Sequence, residues 1–465
     1  MNRIDLLASL STGSEVVCDI GCDHAHVMIN AIKYHGVKRG LACDISKGPL
    51  EQASKNICNN SLQDKIKTIL SDGFSNVNEE FDTAILAGMG GILITNILSK
   101  GLDKIQDVKL IIEPNSDAPL VRQYLSDIGF SIIEEYAIYD AKKYYEIIVA
   151  IKGKSSYDSL DIKFGPILRR KKPEAFIDYY EKQKKNLYDM IHKITNDATK
   201  QEKLSEFRDI LEILCAGVSQ KYYIEDTSNY YVTYFLDDEP RPTVFISPGG
   251  GYQYCSPREM APVVYYLNKM GYHTVAINYR VDTTEAYPIP QNHFSYAVNK
   301  FREDKRVSKF IGLGFSAGGH NLLEVALHEN EYNCHFDLIM LAYPVVTANE
   351  EHWHEGSFKN LLLDRFGDKK LHKRLSLELE VHKDAPDLFL WGTFTDGSVP
   401  VMNSILLLEA YAKNNCNCEY HCYPAGGHGL STADEASAEG DPGKINPYIQ
   451  NWINLADKWI KEKVK

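Results

Sequence analysis

Apolar residues recur along the first third of the chain in short β-rich runs, each followed by a helix-like stretch. The runs cover residues 15–20, 40–45, 65–70, 82–87 and 108–112. Such alternation predicts a mostly parallel sheet with helices on both faces. Residues 130–138 and 144–151, separated by a polar turn, then predict an antiparallel hairpin at the end of the sheet.

The hydrophobic period changes in residues 173–215. Apolar side chains recur there at spacings of three and four from Tyr180 to Ile194, and again from Leu204 to Leu214. These spacings predict two helices that meet at a break near Asn196, with Pro173 in the first helical turn. We expect an antiparallel helical hairpin that is both a linker and an appendage of the first domain.

A second alternation begins at Tyr230. Its β-rich runs cover residues 230–236, 243–247, 273–279, 309–315, 336–342, 387–391 and 419–423. They predict a second α/β sheet. The expected organisation is a first α/β domain at 1–153, a hairpin connector at 154–220 and a second α/β domain at 221–465.

Composition fits this organisation. The 465 residues are 44% hydrophobic and 25% charged, which is typical of a folded chain of two or three domains. No run approaches the roughly 18 uninterrupted apolar residues of a membrane helix, and the first ten residues do not have the pattern of a signal peptide. We therefore expect a cytoplasmic protein without membrane association. The sequence leaves its oligomeric state open.

Ten cysteines are too dilute for a disulfide framework, so we interpret them as core thiols. Cys416, Cys418 and Cys422 lie close to His421 and form the one cluster that suggests a metal site. Strand alternation puts the three cysteines on one face and His421 on the other. This geometry favours structural cysteines, and no metal is predicted.

Charge is distributed unevenly along the chain. The net charge of -12 argues against nucleic acid, yet residues 154–220 carry +2, against -5 for residues 1–153 and -9 for residues 221–465. The positive segment contains four consecutive basic residues, Arg169 to Lys172. They are either a modest nucleic-acid contact or a solvated face.

The first predicted strand runs into a turn with a single glycine, Asp19 to His24. Open α/β sheets bind ligands at the carboxyl ends of their strands. The turn lacks the Gly-x-Gly-x-x-Gly pattern that approaches a pyrophosphate, which disfavours NAD and favours a donor without phosphates, S-adenosylmethionine.

Three further strand ends carry suitable residues. Asp44 ends the second strand, 25 residues after Asp19, where a carboxylate can accept hydrogen bonds from ribose hydroxyls. Asp72 and Gly73 end the third strand and can face the adenine, and Gly88 ends the fourth. Taken singly, each could be only a cap or turn residue. Their agreement at four successive strand ends predicts a nucleotide-like cofactor.

Residues 3–215 resemble the bacterial tRNA (adenine(22)-N(1))-methyltransferases. The resemblance rests on residues 19–25, 87–91, 113–115, 145–146 and 164–166, and on the helical hairpin. It implies a class I methyltransferase fold, tRNA as partner, and Asp19, Gly21, Asp44, Asp72 and Gly73 as the residues that hold the donor. It also implies that Asp23, His24 and Asn115 face the target base. The chain departs from the family by starting close to the first strand and by carrying Glu113 where glutamine is expected.

The second domain contains a Gly-x-Ser-x-Gly pattern around Ser316, between a predicted buried strand and an apolar helix. This context is that of a nucleophile elbow, although a glycine-rich turn with an ordinary serine has the same pattern. Asp396 and His428 follow, each just beyond a later strand and in the required order. We therefore predict a triad of Ser316, Asp396 and His428, and interpret His320 and His421 as ordinary helix and strand residues.

An oxyanion hole also requires backbone donors near the nucleophile. The glycine loop at 248–251 supplies them after a strand, and we expect Gly250, Gly251 and Ala317 to contribute.

Residues 240–460 resemble acetyl-esterase and hormone-sensitive-lipase-like α/β-hydrolases, particularly bacterial carbohydrate-ester esterases. The resemblance rests on residues 248–252, 256–259, 314–318, 396–403 and 427–429. It implies short acyl esters as substrates. Pro248 stands where the commoner family motif has histidine.

Three functional hypotheses follow. In the first, both domains are enzymes, one methylating tRNA and the other hydrolysing esters. In the second, one domain is catalytic and the other is a binding or scaffold module. In the third, the first domain methylates a small molecule, which the helical hairpin disfavours.

Overall fold

The computed structural model describes residues 2–225, 227–281 and 287–464. These form two compact units, Met1–Lys182 and Gln183–Lys465. The division falls inside the segment predicted as a connector, not at its ends. Within the described residues, no helix is long and apolar enough to cross a membrane.

The first unit is built on a seven-stranded sheet. Its strands are β1 (Val16–Ile20), β2 (Arg39–Asp44), β3 (Ile66–Leu70), β4 (Thr83–Gly90), β5 (Lys109–Ser116), β6 (Phe130–Asp140) and β7 (Lys143–Lys152). Their order is β3-β2-β1-β4-β5-β7-β6. The first five pair in parallel, and β7 is antiparallel to both β5 and β6. The predicted parallel sheet with a terminal hairpin is confirmed.

Helices cover both faces of this sheet. Neighbouring residues of β1 enter different cores, Val17 on one side and Cys18 on the other, as expected for a strand buried on both faces. The helices are α1 (Arg3–Leu10), α2 (His26–Tyr34), α3 (Lys47–Asn59), α4 (Gly91–Lys100), α5 (Ala118–Asp127), α6 (Ser159–Phe164), α7 (Leu168–Lys171) and α8 (Glu174–Ile191), the last of which continues into the second unit.

A buried charge cluster holds the end of this unit together. Arg122 is fully buried and pairs with Glu135 at 2.8 Å and with Glu146 at 2.6 Å. A Cβ on Gly165 would lie 2.7 Å from the Glu135 carboxylate, so a larger residue cannot pack there. Two of the stretches that carry the family resemblance, at 145–146 and 164–166, thus include residues with a structural role.

The second unit contains an eight-stranded sheet. Its strands are β8 (Val218–Tyr223), β9 (Tyr230–Phe235), β10 (Arg241–Ser247), β11 (His273–Asn278), β12 (Val307–Phe315), β13 (Leu338–Ala342), β14 (Asp387–Thr393) and β15 (Cys418–Tyr423). Their order is β15-β14-β13-β12-β10-β11-β9-β8. All neighbours from β11 to β15 pair in parallel, whereas β8 and β9 form an antiparallel edge.

The helices of the second unit begin with the second of the two predicted connector helices. That helix, α9, buries Leu204, Phe207 and Leu211 and packs against α10. The helices are α9 (Asp197–Leu214), α10 (Ala261–Lys269), α11 (Ile289–Asn299), α12 (Ala317–Leu327), α13 (Glu329–Tyr332), α14 (Glu355–Leu362), α15 (Lys369–Arg374), α16 (Met402–Lys413), α17 (Glu435–Ala438) and α18 (Trp452–Lys463). Short 3-10 helices lie at Pro257–Glu259, Leu363–Arg365, Leu377–Leu379 and Pro442–Lys444.

Candidate active sites

The second unit brings Ser316 to the junction of β12 and α12. Its backbone has φ 51° and ψ -122°, a strained conformation that turns the chain sharply from strand to helix. Close backbone contacts on either side require glycine. A Cβ on Gly318 would lie 2.2 Å from the Ser247 carbonyl oxygen, and one on Gly314 would lie 2.6 Å from the Gly319 Cα. The predicted elbow is therefore present, with its tight backbone packing.

Three side chains form a continuous hydrogen-bonded chain at this elbow. His428 Nε2 lies 2.8 Å from Ser316 Oγ, and His428 Nδ1 lies 2.7 Å from Asp396 Oδ2. Because Asp396 can only accept as a carboxylate, the Nδ1 atom carries the proton and Nε2 accepts from the serine hydroxyl. This is the arrangement that general-base activation of a serine requires.

Asp396 is held as a carboxylate. Its side chain is almost completely buried, which by itself raises its pKa, but hydrogen bonding and the charge of His428 outweigh this and lower the pKa. The backbone N–H groups of Ser398 and Val399 also donate to it, at 2.9 and 3.0 Å. The acid can therefore fix the imidazole and stabilise its charged form.

The glycine loop after β10 packs directly against the elbow. A Cβ on Gly250 would lie 2.0 Å from the Tyr254 carbonyl oxygen, and both Gly250 and Gly251 have positive φ. Ala317 is the first residue of α12, where an N–H has no acceptor within the helix. These backbone features suit the predicted oxyanion hole of Gly250, Gly251 and Ala317.

The competing histidines are occupied elsewhere. His320 is fully buried, with Nδ1 at 2.9 Å from Tyr252 Oη and Nε2 at 3.0 Å from the Leu375 carbonyl oxygen. Burial lowers the pKa of His320. His421 Nε2 lies 2.7 Å from a Glu419 oxygen on the same strand. Neither has the partners of a catalytic base.

Sequence reasoning missed two neighbours of the triad. Glu259 is buried beside the glycine loop, and Tyr343 packs its ring 5.0 Å from that of His428. In the sequence, Glu259 lies within one of the stretches that carry the family resemblance, at 256–259, and Tyr343 was not singled out. Among the described residues, no group of three His, Cys, Asp or Glu side chains could hold a metal ion.

The first unit places the predicted donor residues along one edge of its sheet. Asp19 lies in β1 next to β2, and Asp44 ends β2 and accepts from the Ser46 N–H at 2.8 Å. Gly21 has φ 74° and donates its N–H to the Cys43 carbonyl oxygen at 2.8 Å, which folds the turn over the neighbouring strand. Burial raises the pKa of Asp19 to about 7, and the charge of Asp44 adds to this effect. Two close carboxylates, one of them buried, suit a cationic ligand.

The other two strand ends are more open. Asp72 follows β3, is about half exposed, and lies 3.3 Å from Lys100 Nζ. Gly73 has positive φ, and a Cβ there would lie 2.9 Å from Ile97 Cγ2. Gly88 also has positive φ, and its N–H donates to Glu113 Oε2 at 3.1 Å.

Glu113, which stands where glutamine was expected, has a partner from the N-terminal helix. Arg3 Nη1 lies 2.7 Å from Glu113 Oε2. The carboxyl group is fully buried, and burial raises its pKa, while Arg3 and the Gly88 N–H oppose the rise. Arg3 thus compensates for the substituted charge, a pairing that sequence reasoning did not detect.

The predicted acceptor residues lie on the surface of the same unit. Asp23 and His24 are exposed, 3.3 Å apart, in the turn between β1 and α2. Asn115 Oδ1 accepts from Lys143 Nζ at 3.2 Å, and Lys143 also lies 4.8 Å from the centre of the Tyr145 ring. Positive charge and an aromatic ring therefore surround Asn115.

The basic run at 169–172 is less available than its sequence suggests. Arg169 is buried and pairs with Asp158 at 2.7 Å and with Asp161 at 2.9 Å. Arg170 and Lys171 are exposed. Arg169 is thus a structural residue of α7.

The N-terminal half is similar to known tRNA methyltransferases. The family model described as TrmK, tRNA (adenine(22)-N(1))-methyltransferase, matches residues 17–214. The tRNA (adenine(22)-N(1))-methyltransferase of Bacillus subtilis (strain 168) is 29% identical over 231 residues, which are 46% of this chain and 97% of that protein. The predicted resemblance of the N-terminal half is confirmed.

Two other similar proteins are hydrolases by name. Endo-1,4-beta-xylanase B of Butyrivibrio fibrisolvens is 29% identical over 225 residues. These residues are 44% of this chain but only 35% of that relative, so the match spans about a third of its length. A crystal structure of an acetyl ester-xyloside bifunctional hydrolase from Caldicellulosiruptor lactoaceticus is 32% identical, with 51% of this chain and 89% of that chain covered and a TM-score of 0.45. The C-terminal half is similar to esterase-like α/β-hydrolases, as its sequence predicted.

Proposed function

We propose that this chain is a bifunctional enzyme. Its first unit transfers a methyl group from S-adenosylmethionine to N1 of an adenine in tRNA, and its second unit hydrolyses short acyl esters through Ser316. The alternative is that one unit alone is catalytic and the other is a binding or scaffold module. The hydrogen-bonded chain of Asp396, His428 and Ser316 is the observation that best supports catalysis by the second unit.

Ester hydrolysis follows from the triad in two steps. Ser316 Oγ attacks the ester carbonyl while His428 Nε2 takes the hydroxyl proton, and Asp396 stabilises the resulting imidazolium. Backbone N–H groups of Gly250, Gly251 and Ala317 stabilise the oxyanion of the tetrahedral intermediate. His428 then protonates the leaving alcohol, and a water activated by the same imidazole releases the acid and restores Ser316.

The acyl group is expected to be short, as in the families that the second unit resembles. Because one relative is named as a xylanase, we propose esters of small sugars as substrates. Acetylated xylo-oligosaccharides are a suitable second substrate to test after p-nitrophenyl acetate. Full-length chain should hydrolyse p-nitrophenyl acetate, whereas the Ser316→Ala variant should not. Equal rates for the two would exclude Ser316 as the nucleophile.

The first unit fits a cationic methyl donor. When bound, S-adenosylmethionine supplies an electrophilic methyl group. Asp44 would hold the ribose and Asp19 would lie near the positive charge, while Gly21, Asp72, Gly73 and Gly88 would shape the rest of the pocket. The match of residues 17–214 to a methyltransferase family is the observation that best supports this half of the proposal.

Few catalytic groups are needed on the acceptor side. N1 of adenine is unprotonated at neutral pH and attacks with its own lone pair, so positioning supplies most of the rate. Asp23 would stabilise the cationic product ring, and His24 and Asn115 would orient the base. An adenine within tRNA structure must first be exposed, as in other base-modifying enzymes.

Incubation of the full chain with methyl-labelled donor and bulk tRNA tests this activity. We expect label in tRNA, and mapping should place it on a single adenine N1. Label that enters only small molecules would support the small-molecule hypothesis, and absence of label from both would support a scaffold role for the first unit.

A further inference from the structure

Glu259 is a buried acid in the second unit that the triad chemistry does not use. It ends the short 3-10 helix Pro257–Glu259 and is only 3% exposed. Its Oε2 accepts the Gly249 N–H at 2.7 Å, and its Oε1 accepts the Tyr343 hydroxyl at 2.8 Å. Both carboxylate oxygens thus have a donor, which offsets the cost of burying the charge.

The Gly249 residue that Glu259 contacts lies next to the nucleophile. A Cβ on Gly249 would lie 2.9 Å from Ser316 Cβ and 2.8 Å from the Phe315 carbonyl oxygen. Gly249 is also the first glycine of the loop that supplies Gly250 and Gly251. A shift of the Gly249 peptide would therefore move the predicted oxyanion donors relative to Ser316 Oγ.

The contact with Tyr343 reaches the histidine. Tyr343 Oη accepts the Ser431 N–H at 2.9 Å, and its ring meets the His428 ring edge to face. Ser431 Oγ in turn donates to the Arg258 carbonyl oxygen at 2.7 Å. One carboxylate thus connects the glycine loop with the loop that carries His428.

We propose that Glu259 is a positioning residue of the esterase site, which holds the oxyanion loop and the histidine loop in register and favours the imidazolium form of His428 by its negative charge. The proposal rests on the proposed esterase function. It assigns to the site a second buried acid besides Asp396, one that acts on His428 without a hydrogen bond to it.

Several charged or titratable groups surround His428, and the sign of each charge determines whether it favours or opposes positive charge on the imidazole. Asp396 is hydrogen-bonded to it, Lys444 Nζ donates to its carbonyl oxygen at 2.7 Å, and Arg258 donates to the next carbonyl, that of Gly429, at 2.9 Å. Burial and the charge of His428 lower the pKa of His354.

The pKa of Glu259 is raised, because burial outweighs the partners that favour its carboxylate. Burial raises the pKa of Glu259, while hydrogen bonds from Tyr343 and Gly249 and the charge of His428 oppose the rise. Formation of imidazolium during catalysis therefore favours the ionised acid at the moment when its charge is useful. Loss of this negative charge would remove an attraction that favours positive charge on the His428 ring.

The test uses full-length Glu259→Gln and Glu259→Ala chains, with Glu409→Gln on the exposed face of α16 as the matched control. Glutamine keeps the shape and can still accept from Gly249, but it removes the charge. We expect kcat for p-nitrophenyl acetate to fall about tenfold in Glu259→Gln and about a hundredfold in Glu259→Ala, with little change in KM. The acidic limb of kcat/KM should move to lower pH in Glu259→Gln, by about half a pH unit or more.

A boronic acid that forms a tetrahedral adduct with serine gives a second measurement, since it needs the oxyanion hole as the transition state does. Its affinity should fall in parallel with kcat/KM. A folded Glu259→Gln chain with wild-type kcat and an unmoved acidic limb would overturn the proposal. If that chain does not fold, Tyr343→Phe replaces it, and we expect kcat to fall about threefold or more; an unchanged kcat would overturn the proposal.

Failure of the underlying function has a different signature. Wild type and Ser316→Ala would then hydrolyse the ester at equal rates, whatever the behaviour of Glu259 variants.

Discussion

The two units organise their reactive groups to very different degrees. In the second unit, His428 already contacts both Asp396 and Ser316, and backbone N–H groups already donate to Asp396. In the first unit, the predicted donor and acceptor residues occupy successive strand ends and mostly contact local partners, as Asp72 contacts Lys100. Proton transfer requires hydrogen-bond contact between protein groups, whereas methyl transfer requires a shaped site for two ligands. Direct contacts therefore support the proposed hydrolase site, while strand-end placement supports the proposed methyltransferase site.

Loss of the proposed nucleophile should have a greater effect on activity than any other substitution. Ser316→Ala should lower kcat for ester hydrolysis by about ten-thousand-fold or more, because the nucleophile and base act as a unit. Methyl transfer to tRNA should be unchanged. Hydrolysis of p-nitrophenyl acetate and incorporation of labelled methyl, measured on the same preparation, check both statements. Substantial residual hydrolysis would show that another group attacks the ester.

Asp396→Asn should be nearly as severe. The amide would disfavour the imidazole tautomer that accepts from Ser316, and kcat should fall about a thousandfold to ten-thousand-fold. Asp337→Asn, which alters a partly exposed pair with Lys309, is the matched control. A mild effect of Asp396→Asn on kcat, with the chain shown to be folded, would remove Asp396 from the triad.

Asp44→Ala tests the proposed donor site of the first unit. If Asp44 holds the ribose through a charge-assisted hydrogen bond, donor affinity should fall by about 1 to 3 kcal/mol. Calorimetric titration of S-adenosylmethionine into the full chain measures this loss. Asp64→Ala, an exposed acid before β3, should bind like wild type. Equal affinities for Asp44→Ala and wild type would contradict the assignment.

The pH dependence of donor binding tests Asp19. Since its folded pKa is about 7 and a cationic donor favours the carboxylate, affinity should rise with pH and level off above that pKa. Between pH 6 and pH 8 we expect an increase of about tenfold. Asp19→Asn should remove this dependence. If wild type and Asp19→Asn responded to pH alike, another group would have to be responsible.

The same shift has a consequence for stability. The folded state holds the Asp19 proton more tightly than the unfolded chain, whose aspartates titrate near pH 3.9. Stability of the first unit should therefore fall as pH rises from about 4 to about 7. Thermal denaturation across this range should show a smaller decline in Asp19→Asn than in wild type.

The smallest expected effect concerns RNA. Arg170→Ala combined with Lys171→Ala should weaken tRNA binding about threefold to tenfold and reduce its salt dependence by one to two phosphate contacts. Lys369→Ala with Lys370→Ala is a control of equal charge in the second unit. Filter binding at several salt concentrations measures both. Unchanged affinity would move the RNA contact to the basic and aromatic surface around Asn115.

The sequence predicted the strands well because each is a short apolar run between turn residues. The edge strand β8 was missed because Ser219, Gln220 and Lys221 interrupt its apolar pattern. The triad could be predicted because each member follows a strand end. Glu259 and Tyr343 could not, since they are 84 residues apart and only the fold brings them into contact.

Distance along the chain also explains why the ion pair of Glu113 was not predicted. Glu113 stands out in the sequence only as a departure from the family, because its partner Arg3 comes from the N-terminal helix, 110 residues away. Arg169 shows the reverse case. The basic run at 169–172 suggested an RNA contact, but Arg169 forms ion pairs with two nearby acids of its own unit. In both cases, the ion pair was not visible in the sequence pattern.

We propose that one chain carries two independent activities, and measuring both activities on the same three chains tests this proposal. Methyl transfer from labelled donor to bulk tRNA and hydrolysis of p-nitrophenyl acetate would be measured on full-length wild type, Asp44→Ala and Ser316→Ala. We predict that wild type has both activities, that Asp44→Ala weakens methyl transfer at subsaturating donor and leaves hydrolysis unchanged, and that Ser316→Ala loses hydrolysis alone. A wild-type chain with only one activity, or a single substitution that abolishes both in a folded chain, would contradict the account.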